Sequence, residues 1–216
     1  MKHYQILSAL LLYPEQPLLD NLTELEAMLD DEPALQLPLR PLFAYLGSHT
    51  LIALQQNYVM IFDRTPSHSL HLFEHIHGES RDRGQAMVDL MEEYKRHGLE
   101  MTGTDLPDFV PLFLEFLSQL DDENESGRLL GDAIHVLAHI RRKLAANRSE
   151  YAGVFSALEL LSPIAAEELT EPPINDMDEA LETFGPGVDG VEPLLKTMPG
   201  GVQPINFYPK GARSAA

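Results

Sequence analysis

Apolar residues recur at intervals of three and four almost everywhere up to Leu161, which is the spacing that lines one face of an α-helix. Leu18, Leu22, Leu25 and Leu29 form one stripe, and Leu51, Leu54, Tyr58 and Ile61 another. Met87, Leu90, Met91 and Tyr94 continue the pattern, followed by Phe109, Phe113, Phe116 and Leu120, then Leu130, Ile134, Leu137 and Leu144, and finally Tyr151, Val154, Leu158 and Leu161. Each stripe needs a partner helix to keep it from water, and no convincing period-two alternation marks a strand. The pattern predicts an all-α protein, a single compact helical bundle over residues 1–162.

Glycine and proline punctuate the same reading. Gly98, after Arg96-His97, reads as a helix C-terminus, Pro38, Pro41, Pro107 and Pro111 as places where helices stop or start, and Pro66 as a further break. Asp121 to Gly127 reads as a solvated acidic loop, with Glu123 or Glu125 placed to favour the N-terminus of the next helix. The opening Met1 to Leu12, with its one lysine and short apolar stretch, faintly resembles a signal peptide. It lacks a good small-residue cleavage site and runs straight into Tyr13-Pro14, so a first buried helix ended by proline is expected. After Ser162 prolines and glycines accumulate and the periodicity fades. Residues 163–216 are expected to form a poorly ordered tail, with one short helix near 175–184.

Charge and composition narrow the function. The formal net charge is −19, which repels nucleic acid and anionic lipid and attracts basic peptides. With no cysteine the chain can form neither a disulfide nor a thiolate nucleophile nor a cysteine-bound metal site, as suits a reducing cytoplasm. No apolar run approaches the roughly 18 residues that span a bilayer, so no membrane insertion is expected.

The densest polar cluster runs from Ser69 to Met87. Gly78 is suited to a left-handed cap ending one helix and Ser80 to N-capping the next, which puts Arg81, Asp82 and Arg83 in a first turn where the helix dipole favours acids rather than arginine. Two explanations stay open: Glu74, Glu79 or Asp82 pair with the arginines to lock a helix–helix corner, or the arginines present donors to a ligand. His71 and His75, four apart, would share a helix face near Glu74, His77 and Glu79, so a metal-dependent hydrolase built on His71, His75 and Glu79 is one alternative. Against it, no His-Glu-x-x-His pattern, nucleophile elbow or phosphate-cradling loop appears. Asp108 and Glu115 read more simply as capping and solvated carboxylates than as catalytic ones. No catalytic residue and no metal ligand is therefore assigned.

Phe62-Asp63-Arg64, the run from Leu72 to Leu90 containing Phe73-Glu74-His75-Ile76-His77-Gly78-Glu79-Ser80-Arg81-Asp82-Arg83-Gly84-Gln85-Ala86-Met87, Tyr94, His97-Gly98-Leu99 and the run Leu106 to Leu117 strongly resemble the NarJ-type nitrate reductase assembly chaperones. The resemblance covers the chain more loosely from the first helix to about Leu161. It implies a helical bundle of the redox-enzyme maturation type and a cytoplasmic protein that is not an enzyme. Its partner would be the N-terminal segment of the catalytic (alpha) subunit of respiratory nitrate reductase, and the molybdenum cofactor would be inserted into that client rather than held stably by the chaperone. One departure stands out: the family commonly has histidine after Pro-Asp, whereas Phe109 follows Pro107-Asp108 here, which puts in doubt any role that needs an imidazole beside Asp108.

Helix-in-groove binding of an amphipathic basic peptide is consistent with both lines. On that reading Phe73, Glu74, His75, His77, Glu79, Asp108, Phe113 and Glu115 form the groove or its rim. Gly78, Ser80, Arg81, Asp82 and Arg83 form the corner that supports it. A helical adaptor for a different client is the remaining alternative, and His71, His75 and His77 suggest pH-sensitive release.

Overall fold

Ten α-helices occur among the residues that the computed structural model describes, 1–77 and 81–169, with Arg81 described by its backbone alone. They are α1 (Lys2–Leu11), α2 (Gln16–Asp20), α3 (Leu22–Ala27), α4 (Pro33–Ser48) and α5 (Leu51–Tyr58), then α6 (Glu74–His77), α7 (Arg81–Arg96), α8 (Val110–Gln119), α9 (Glu123–Ala146) and α10 (Ala152–Leu161). The all-α expectation holds. The only strand-like pairing among the described residues is a single antiparallel bridge between His71 and Phe109.

The long α9 is the spine. Its apolar face, with Leu130, Ile134, Leu137, Ile140 and Leu144 all buried, meets α10 and α8. The expected opening helix forms: α1 buries Tyr4, Ile6, Leu7, Leu10 and Leu11 and lies antiparallel on α8, with the Met1 amino group donating to Ser118 O and Ser8 Oγ to Pro111 O at 2.8 Å. Gly98 adopts φ +75°, and the Gly98 N–H to Lys95 O and Leu99 N–H to Tyr94 O bonds close α7 in a Schellman turn. Asp122 N-caps α9 through Asn124 N–H. That helix begins at Glu123, so most of the expected acidic loop is instead its first turns, where Glu123 and Glu125 favour the dipole.

Two prolines correct the sequence reading. Pro38 and Pro41 neither start nor stop a helix but lie inside α4. Each removes an N–H and costs roughly 3 kcal/mol in a helix interior. Burial of Leu35, Leu39, Leu42, Phe43 and Leu46 on the same helix offsets this, since each such side chain contributes about 2 kcal/mol. Here α10 crosses α4 so closely that a Cβ on Gly153 would stand 2.2 Å from the Pro38 carbonyl oxygen. Only a glycine allows that crossing.

The α5 stripe ends in a π-helical turn, Val59–Asp63, closed by Arg64 N–H donating to Val59 O, and a 3₁₀ turn, Pro66–His68, follows. Residues 163–169 leave α10 and return along α9, where Ile164 lies against Gly131 and Glu167 N–H donates to His135 Nδ1 at 2.9 Å. The expected helix at 175–184, and most of the expected tail, lie outside the described residues. No described helix is long and apolar enough to cross a membrane.

Candidate functional site

The predicted polar corner is built from pieces that sequence separates. The segment before α6 pairs with the segment before α8: Leu72 N–H donates to Asp108 O at 3.0 Å and Val110 N–H to Leu70 O at 2.8 Å. The Asp108 side chain locks this contact. Its Oδ2 accepts from Phe73 N–H at 3.1 Å and its Oδ1 from His71 Nδ1 at 3.2 Å, and the residue has 0 % of its surface exposed. Burial alone would raise its pKa, but the bonds from His71 and the Phe73 amide, with the electrostatic pull of His71 and Arg83, outweigh it and hold the carboxyl below its usual range. Asp108 is therefore a buried, ionised hub rather than the solvated cap expected. An imidazole does stand beside it, supplied by His71, whose ring lies 5.4 Å from that of Phe109.

Around this hub, Glu74 resolves part of the arginine question. Arg83 Nη2 donates to Glu74 Oε1 at 2.8 Å, tying α7 to α6, while the Ser69 hydroxyl donates to the other Glu74 oxygen. For Arg83 the structural pairing is the one formed. Asp82 is exposed, and Gly78, Glu79, Ser80 and the Arg81 side chain lie outside the described residues. His71 precedes α6 in a bridge and does not share a helix face with His75, which corrects the expected histidine pair. His71 serves Asp108, whereas buried His75 places Nε2 2.8 Å from Ser69 O, with its ring 5.6 Å from that of His139. Burial pushes the His75 pKa below the usual imidazole value against the opposing Ser69 bond. The shared metal face that the hydrolase alternative needs is not formed by these two side chains.

Tyr94 links the corner to its surroundings by donating its hydroxyl to Pro107 O at 2.7 Å. Just beyond, the end of α7, the 99–105 loop and α8 surround an open cleft of about 390 Å³. Leu99, Met101, Leu112 and Phe116 give it apolar walls, and Glu100, Asp105 and Glu115 line it with acid. None of these three carboxylates is paired with a basic side chain among the described residues.

The neighbouring acids are otherwise engaged. His97, whose ring lies 5.6 Å from Phe116, reaches Glu93 at 3.4 Å and Glu125 at 3.7 Å, and Arg128 binds Glu125 and Asp132 at 2.9 Å each. Glu93, His97 and Glu125 bring potential metal-ligating atoms within 4.8 Å of one another. Arg96 pairs with Glu93, and Arg128 with Glu125 and at 3.6 Å with Glu93, so an ion-pair network already neutralises this group.

Of the residues expected to line a groove, Glu115 lines the cleft. Phe113 and His75, at 3 % and 6 % exposure, and Asp108 are interior, so the expectation that they form groove or rim is corrected: they can shape a binding surface only from beneath. Phe73, Glu74 and His77 are half-buried at the corner, with the Phe73 and His77 rings 6.1 Å apart. Sequence reasoning missed Leu99, Met101, Asp105 and Leu112, although the loop's carboxylates and its Gly98 turn were visible signals.

Helices packed around a buried polar corner make the described residues an all-α bundle. The same fold occurs in the crystal structure of an Archaeoglobus fulgidus protein assigned to redox enzyme maturation, with TM-score 0.55 and 21% identity over 74% of this chain and 91% of that one. The family model described as nitrate reductase delta subunit matches residues 29–157, and the chain belongs to that family.

Among its relatives is the nitrate reductase molybdenum cofactor assembly chaperone NarJ of Escherichia coli K12, 42% identical over 134 residues, covering 59% of this chain and 56% of that one. Another, the probable nitrate reductase molybdenum cofactor assembly chaperone NarW of the same organism, is 42% identical over 123 residues, covering 56% and 53%. The chain spans a little over half the length of these two relatives. The resemblance drawn from the residues is thus the relationship found.

Proposed function

We propose that this protein is a system-specific assembly chaperone and not an enzyme. It binds the N-terminal segment of the apo catalytic subunit of respiratory nitrate reductase in the cytoplasm, and it supports insertion of molybdenum cofactor into that client before the complex docks at the membrane. Family membership and the names of its relatives support the class.

The observation that carries the binding mode is the cleft beside α8: an apolar trough lined by three carboxylates, Glu100, Asp105 and Glu115, that have no basic partner among the described residues. An amphipathic basic peptide suits it, its apolar side against Leu99, Met101, Leu112 and Phe116 and its cations on the rim. The Asp108 hub and the Tyr94 bond to Pro107 hold the segment from which α8 departs, so the corner positions the cleft. The net charge of −19 draws a cationic segment in and speeds encounter.

Calorimetric titration with a synthetic N-terminal peptide of the nitrate reductase catalytic subunit, beside a scrambled peptide of equal charge, tests this. The authentic peptide binds more tightly, its affinity falls at high salt, and Asp105→Asn with Glu115→Gln weakens it. Equal binding of both peptides overturns the reading.

A further inference from the structure

The chain contains a second candidate for the same cleft. Residues 170–192 hold seven acidic residues and no Lys or Arg, whereas residues 193–213 hold Lys196, Lys210 and Arg213 and no acid. Among these cations stand Leu194, Leu195, Met198, Val202, Ile205 and Phe207. This apolar and cationic composition complements the cleft, with its walls of Leu99, Met101, Leu112 and Phe116 and its three carboxylates that lack a basic partner among the described residues. The acidic stretch is repelled by a protein of net charge −19, and the basic stretch is attracted to it.

Reach permits the contact. The described chain ends at Leu169, just past the bond from Glu167 to His135 on α9. Ten residues back along α9, about 15 Å, is Glu125, which touches His97, whose ring in turn packs on Phe116 in the cleft wall. A connection of 24 residues can extend to roughly 80 Å, well beyond the step along α9 that separates the two. Because the segment belongs to the same chain, its docking is intramolecular and independent of protein concentration.

We infer that segment 193–213 docks in the cleft between the 99–105 loop and α8, where it competes with client peptide. The competition rests on the function proposed above; the docking does not.

Because the chain has no cysteine, Ser214→Cys gives the full-length protein one thiol for a spin label, and relaxation enhancement of backbone amides reads its position without any client. Docking broadens the amides of 99–105 and 112–119 in ¹⁵N-protein that itself carries the label. The broadening disappears at about 0.5 M salt and when Lys196, Lys210 and Arg213 are all replaced by glutamine. Broadening absent from these amides overturns the docking. So does broadening that arises only between labelled and unlabelled molecules, since the contact is then with a second copy.

In a parallel titration the triple-glutamine variant binds the catalytic-subunit peptide several-fold more tightly than the parent, as expected when an intramolecular competitor is removed. An unchanged affinity overturns the competition. If the peptide binds neither protein, the proposed function fails, while the label still decides the docking.

Discussion

Replacing Asp108 by alanine removes two hydrogen bonds that end on one buried carboxylate, from Phe73 N–H at 3.1 Å and His71 Nδ1 at 3.2 Å. It leaves the backbone pairing of Leu72 with Asp108 O in place. Bonds to a charged acceptor contribute about 1.5–3 kcal/mol each, and the loss leaves two donors without their acceptor. The two sites share a partner and are not additive, so a net loss of about 3 kcal/mol is expected, which is over a hundredfold in the folding equilibrium. Asp108→Asn keeps an acceptor for Phe73 and should lose about 1 kcal/mol.

Urea unfolding followed by far-ultraviolet circular dichroism measures both variants. The Asp108 carboxyl titrates below its usual range in the folded protein. Its contribution is therefore complete above the unfolded value near 3.9 and is lost as pH falls through the lower folded value. The difference between parent and Asn variant should persist from pH 7 to about 4.5 and shrink below that. An alanine variant within about 0.5 kcal/mol of the parent at pH 7 would refute the hub, as would an Asn variant as damaging as alanine.

Further substitutions test other parts of the bundle. Gly153→Ala should destabilise by about 1–2 kcal/mol despite the better helix propensity, because its methyl must force α10 away from the Pro38 oxygen. Gly84→Ala, with nothing within 4 Å, should gain up to about 1 kcal/mol, and matching signs in urea melts would refute the crossing. The Tyr151 hydroxyl is buried without a hydrogen-bond partner among the described residues, whereas that of Tyr58 donates to Leu11 O at 2.9 Å. Tyr151→Phe should be neutral or stabilising and Tyr58→Phe should cost about 1 kcal/mol, so equal losses would count against this geometry. His75, buried near His68, His139 and Lys143, has a lowered pKa. Its contribution is complete above the unfolded value near 6.5 and is lost as pH falls through the folded one. His75→Gln should flatten stability against pH below about 6.5, and an unchanged slope would exclude this residue as its source.

The sequence by itself determined what short-range spacing controls. Helical periodicity identified the bundle and the glycine after Arg96-His97 the end of α7, because each depends on residues within a turn or two, whereas the 121–127 stretch, expected as a loop, is mostly the first turns of α9. The same local rules misplaced Pro38 and Pro41. A proline's penalty is local, whereas the burial of Leu39, Leu42 and Phe43 that outweighs it is granted by α10 and the rest of the core. Only the tertiary structure decided that Asp108 would be a hub, since its partners lie 35 and 37 residues away and solvation versus burial of a carboxylate cannot be read from its neighbours in sequence. It decided, too, that Phe113 faces inward while Glu115, two residues on, lines a cleft. A helix's own periodicity shows which residues share a face, but which face meets another helix and which meets water is fixed when distant segments close around it.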